Sequence, residues 1–183
     1  MMLALMLVVA ASSTHHDKST NPYAAEDVYT PLRVDGWKYS SAIDAITELP
    51  EAGASILSED GRHKLTLSCR SGSRERPLSF RLEGPRYLGG ETARVVVKVE
   101  HGKSWELQWT TMSKVAYNAD WRSVVGLIGF LSPGTRAVIR VYNFEDQPVD
   151  AFFDLYGAGS AFRRVISACG KQMPLDEDRN QNF

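Results

Sequence analysis

At 183 residues the chain has the length of one domain with a sizeable core, or of one domain with loose ends. Its 43% hydrophobic and 23% charged residues are too balanced for a disordered chain. A net charge of −1 excludes a global electrostatic pull toward nucleic acid or an anionic membrane surface.

In chain order, the first feature is Leu3–Ala11 (LALMLVVAA), nine apolar residues followed by Ser12, Ser13 and Thr14. A membrane-spanning helix needs roughly 20 apolar residues, so this run is too short to span. It has the length of a signal-peptide apolar core, and Val8-x-Ala10 or Val9-x-Ala11 meets the small-residue cleavage rule. No Lys or Arg precedes it, so the N-terminal amine alone supplies positive charge. No cysteine follows it closely, which argues against a lipoprotein anchor. Residues 1–11 are therefore expected to be a signal peptide, and the protein periplasmic or secreted. Residues 12–35, polar and irregular with Pro22 and Pro31, read as a linker with a lead-in strand. A single β-rich domain is expected over 36–170, opening at Gly36-Trp37, with a polar, disordered tail over 171–183.

Within that domain, Leu65, Leu67 and Cys69 alternate with Lys64, Thr66, Ser68 and Arg70, and Leu78, Phe80 and Leu82 with Ser79 and Arg81. Period two marks strands with one wet face, and Ser71–Pro77 between them fits a hairpin connection. A second hairpin joins the β-branched run Arg94–Glu100 through His101-Gly102-Lys103 to Ser104–Trp109. There Trp105, Leu107 and Trp109 share a face. Two further strands are expected at Arg136–Tyr142 and Val149–Leu155, joined through Glu145–Pro148.

Two segments break the alternation. After the cap-forming Asn118 and Asp120, Trp121, Val124, Val125 and Ile128 fall at helical spacing, and Ser132-Pro133-Gly134 stops the run. Gly126 and Gly129 weaken its propensity, so this helix must depend on packing. A second helix opens at Gly159-Ser160, carries Phe162, Val165, Ile166 and Cys169 on one stripe, and ends at Gly170. Cys69 and Cys169, the only cysteines, thus both face the core, and an exported chain favours their oxidation. A bridge would clamp the last helix to the sheet. For so long a loop the chain-entropy model gives roughly 4–5 kcal/mol. The expected architecture is mainly β: an antiparallel β-sandwich or partly open barrel, with a short mid-chain helix and a C-terminal helix docked by the disulfide.

No catalytic constellation emerges. His15, His16, His63 and His101 lack metal-ligand spacing, so neither a metal nor another cofactor is expected. Gly157-Ala158-Gly159-Ser160 resembles half of a phosphate loop, but lacks its Lys, and helix capping explains it more simply. Asp44, Asp120, Asp150 and Asp154 are candidates for paired roles, the last two on one strand face. Trp121 and Phe130 offer an aromatic site against a core-packing alternative. Cations gather between Arg62 and Arg86, opposed there only by Glu75 and Glu83. From this cluster Arg70, Arg74, Arg76 and Arg81 are the candidate partner-binding residues, facing an acidic protein surface or an anionic envelope polymer. Solubility and edge protection of a wet strand face account for the same charges.

The order of features from Gly36 to Gly170 resembles a family of bacterial periplasmic proteins associated with type VI secretion. The matching elements are Trp37 followed by Ser41-Ala42-Ile43-Asp44, the strand Leu65-Thr66-Leu67-Ser68-Cys69, and the short helix near Ser123–Leu131. The closing Phe153-Asp154-Leu155-x-Gly157, with Ala161 and Cys169, also matches. The resemblance implies a β-sandwich-like accessory protein without catalytic residues. The expected function is a non-enzymatic envelope accessory or binding protein, with another envelope protein or an anionic envelope polymer as partner. The rivals are an inhibitor of a cell-wall hydrolase, plugging it with Ser71–Arg76 or Glu145–Pro148, and a cell-wall-acting enzyme using Asp150 and Asp154.

Overall fold

The computed structural model describes residues 33–34, 36–70 and 78–170. The signal peptide, nearly all of the linker, the 71–77 connection with Arg74 and Arg76, and the tail fall outside the described residues. Ten strands are present: β1 (Arg33–Val34), β2 (Trp37–Ile43), β3 (Pro50–Leu57), β4 (Lys64–Arg70), β5 (Leu78–Glu83), β6 (Thr92–Val99), β7 (Ser104–Met112), β8 (Val115–Asn118), β9 (Arg136–Tyr142) and β10 (Pro148–Asp154). Two helices, α1 (Trp121–Leu131) and α2 (Ala158–Ala168), complete the fold.

All ten strands belong to one sheet, in the order β1-β2-β3-β4-β5-β8-β7-β6-β9-β10, and every pairing is antiparallel. Of the two expected architectures this is the partly open barrel: the described strands form no second sheet, and β1 does not pair with β10. The sheet nevertheless curls. The Glu59 amide, in the turn after β3, donates to the Phe152 carbonyl of β10 at 2.8 Å, and Arg136 reaches Glu59 at 2.9 Å. These contacts bring the third strand's turn against the far edge.

Alternation sets the inner face. Ala52, Ala54, Ile56, Leu65, Leu67, Cys69, Leu78, Phe80 and Leu82 point inward from β3–β5, and Val95, Val97, Ile139, Val141, Ala151 and Phe153 from β6, β9 and β10. Helix α2 lies across β2–β4, which explains the alanines beneath it: a helix backbone approaches closely only where the sheet side chains are small. Phe162 of α2 enters that space, edge-on to Trp37 at 5.1 Å and to Phe80 at 5.6 Å. The predicted stripe Phe162, Val165, Ile166 and Cys169 is buried throughout.

Helix α1 packs on β5 and on α2, with Asp120 as its N-cap accepting from the Ser123 amide at 2.9 Å. Its buried stripe is Val124, Leu127, Ile128 and Leu131, rotated from the expected one, since Trp121 is 40% exposed. The dependence on packing has a visible cause. A Cβ at Gly126 would collide with the indole of Trp105, so the weak helix former is what lets β7 approach α1.

The Cys69–Cys169 disulfide is present, joining β4 to the end of α2 with 6.3 Å between Cα atoms and a sequence separation of 100. Gly170 follows in the left-handed region (φ 66°), where glycine ends helices without a Cβ penalty. No described helix is long and apolar enough to cross a membrane.

Candidate functional site

The face of β2–β5 that turns away from the helices is built by register. One cross-strand row reads Ala42, Glu51, Arg70; the next Ser40, Gly53, Ser68, Ser79; the next Lys38, Ser55, Thr66, Arg81, Tyr117. The middle row is small throughout, and Glu51 and Arg70 on one side and Arg81 and Tyr117 on the other are large, so the surface sinks along it. The result is an open groove of about 540 Å³ with Ser40, Gly53, Ser68 and Ser79 along it, the Glu51–Arg70 pair on one side and Tyr117 on the other. The hydroxyls of Ser68 and Ser79 hydrogen-bond to each other at 2.9 Å. The lining contains neither His nor Lys, and its one carboxylate, Glu51, is held in the ion pair with Arg70. What the row offers is hydrogen-bond donors and acceptors on a fixed strand scaffold.

That scaffold is held from behind. Cys69 lies between Ser68 and Arg70 on β4 and points inward to the bridge with Cys169, so the strand under the groove is tied covalently to α2.

The two described candidate arginines, Arg70 and Arg81, are not gathered at one point. Arg70 is paired with Glu51 on β3 through its Nε. Arg81, four rungs away along β4, has its Nε 3.3 Å from Glu83, and Lys64 shares that carboxylate at 3.6 Å. Both described arginines therefore face the groove's surroundings as members of ion pairs. The Glu51 partner was invisible to a charge count between Arg62 and Arg86, because it arrives by strand pairing from β3.

The carboxylates singled out by sequence each hold a structural contact. Asp44 accepts from the amides of Ile46 (3.0 Å) and Thr47 (2.7 Å), closing the β2–β3 connection, and these bonds hold its carboxyl below the usual range. The amide of Ser123 does the same at Asp120. Asp150 faces Arg140 directly across β9–β10 and takes a two-pronged bond from it (2.6 and 2.7 Å), which also lowers its pKa. Asp154 accepts from the Tyr156 amide at 2.9 Å. Asp150 and Asp154 share a face as expected, but they engage different partners. Phe130 packs edge-on against Trp105 at 6.1 Å, on the core-packing side of its two readings. Gly157 caps α2 in the left-handed region (φ 82°), and Gly159 lies against the end of α1, where a Cβ would be 3.2 Å from the Ser132 carbonyl. Backbone geometry accounts for the glycines of the phosphate-loop-like run.

One loop was underestimated by sequence. Asn143 accepts from the amides of Glu145 (3.1 Å) and Gln147 (2.8 Å), bracing the β9–β10 turn. Phe144 projects from it, 63% exposed, with Tyr87 edge-on at 6.1 Å. Among the described residues no His, Cys, Asp or Glu cluster is placed to hold a metal.

No protein-family model matches the chain, and no curated protein matches it. Among solved structures it is similar to the crystal structure of invasion associated protein B from Bartonella henselae, with a TM-score of 0.51 and 14% identity, covering 72% of this chain and 91% of that one. At that identity the likeness shows a shared fold.

Proposed function

We propose that this protein is an exported, non-enzymatic binding protein of the bacterial envelope, and that the groove on the outer face of β2–β5 receives its partner. The observation that carries the reading is the groove itself: about 540 Å³, floored by hydroxyl-bearing and small side chains, and backed by the disulfide. A stiff, polar depression on a fixed strand scaffold suits recognition of an extended polar segment. The long-loop disulfide between core-facing cysteines supports an oxidising compartment. The partner class that fits is an extended polar segment of another envelope protein, since the two described arginines of the basic cluster, Arg70 and Arg81, are already ion-paired. The resemblance to type VI secretion-associated periplasmic proteins makes secretion components the first partners to look for.

The test is affinity capture from native envelope extract without reductant, comparing the wild-type chain with Ser68→Trp, which fills the groove. Recovery of an envelope protein by the wild type, and its loss on filling, supports the reading. Capture that is indifferent to Ser68→Trp refutes the groove as the site.

The braced Phe144 loop favours a second reading, inhibition of a cell-wall hydrolase by insertion of an aromatic anchor. In that case the captured protein is a hydrolase, its activity falls on complex formation, and Phe144→Ala releases it while Ser68→Trp does not.

A further inference from the structure

The turn Ser58–His63 between β3 and β4 carries an imidazole that the groove does not use. His63 is 6% exposed, and neither ring nitrogen has a hydrogen-bond partner. It stands over Gly84, where an added Cβ would lie 2.7 Å from the ring, so glycine at 84 is what admits it. Around it lie Leu82, Leu88, Val141 and Val149, enclosing a cleft of about 10 Å³, no larger than one water. Val141 and Val149 belong to β9 and β10. The ring therefore fills the seam where the curled sheet brings its two halves together.

The same turn makes the seam's polar contacts. The Ser58 amide donates to the His63 carbonyl at 2.8 Å, and the His63 amide donates to Ser58 Oγ at 2.9 Å. The next residue, Glu59, gives its amide to Phe152 and its carboxylate to Arg136. Moving the ring therefore moves the residues that hold the edge strand.

We propose that His63 is an acid-sensitive latch: neutral, it packs in the seam and holds the Ser58–His63 turn against β10; protonated, it leaves and releases that turn. Burial is what favours ejection; of the charges near the ring, Asp60 attracts a cation there and Arg62 repels it. Arg86 and Lys114 line the cleft from the β5–β6 and β7–β8 connections, and Arg62 adjoins on the turn itself. The surfaces of β9 and β10 that meet the ring are valines. Asp60 is the opposing charge, with its Oδ1 3.9 Å from Nδ1, but that oxygen already accepts from the Ser58 hydroxyl and the Arg62 amide. A cation there is desolvated among apolar side chains, with Asp60 as its one opposing charge and space for at most one water.

The direction of titration agrees. Burial holds the imidazole's pKa below its ordinary 6.5 in the folded chain. The neutral ring's contribution is thus complete above about pH 6.5 and is lost as pH falls from there through the folded-state value. Asp60 and Asp150 are held below 3.8, so both keep their charge through this window.

Amide exchange followed by NMR on the full chain tests the latch. The Glu59 amide is expected to lose protection between pH 7 and pH 5, while Val95 and Val97 at the centre of β6 keep theirs. His63→Leu should abolish the difference. If that variant does not fold, the wild-type imidazole is titrated by its ring proton shifts, and its midpoint should lie below 6.5 and coincide with the loss at Glu59. Unchanged protection at Glu59, an equal loss in His63→Leu, or a ring midpoint at or above 6.5 would overturn the proposal.

Discussion

The two halves of the sheet are built to the same rule on the inside and to opposite ones on the outside. Inward, β3–β5 and β6, β9 and β10 both present alternating apolar side chains to the helices. Outward, the second half is covered by its own side chains. Arg140 holds Asp150, and Arg94 lies over the ring of Tyr142 at 3.6 Å. The first half places serines and a glycine in one row and leaves a groove. It is also the half that carries the disulfide. Clamped strands with small outward residues make a recess, whereas unclamped strands with large ones make a closed surface. The folded core is common to both, and the available surface is not.

Changes to the core and clamp should separate the halves. Phe162→Ala removes the ring that Trp37 and Phe80 share, and should cost about 3–5 kcal/mol by chemical denaturation, as large buried aromatics do. Replacing both cysteines by alanine should cost about 2–4 kcal/mol, with amide protection lost in α2 and β4 before β6 and β9. Equal loss in both halves would mean that the clamp acts globally. In the other half, Gly126→Ala should destabilise by about 1–3 kcal/mol despite better helix propensity, because the new methyl meets Trp105. A stabilised variant would show that this contact yields freely. The smallest effect belongs to Arg140→Ala, an exposed pair whose loss should be barely measurable in thermal melts and should shrink further with added salt.

Six of the ten strands and both helices were legible because their alternation or helical spacing is carried by large residues. Strands β2 and β3 were not, and the reason is physical. In PEAGASIL the inward positions under α2 include Ala52 and Ala54, and in WKYSSAI only Trp37 is fully buried, so neither pattern has much hydrophobic amplitude. Strand β8 is four residues long and offers too little period to detect. The disulfide was legible, since both cysteines fell on apolar stripes. The groove was not, because it is a property of register across four strands whose small residues look unremarkable along each one. The charge balance around Arg70 was only half legible for the same reason: neighbours in sequence set its apparent charge, and a neighbour across the ladder, Glu51, pairs with it. His63 sits where the sheet curls back on itself, a contact that only the closed-up fold creates.

The central claim is that the recess of the clamped half, and not the covered face of the other, is the binding surface. Capture from envelope extract with three chains, the wild type, Ser68→Trp and Arg140→Ala, tests it most directly. The account predicts that the wild type and Arg140→Ala recover the same partner and that Ser68→Trp, folded by circular dichroism, recovers none. A partner retained by Ser68→Trp, or lost from Arg140→Ala alone, would contradict it.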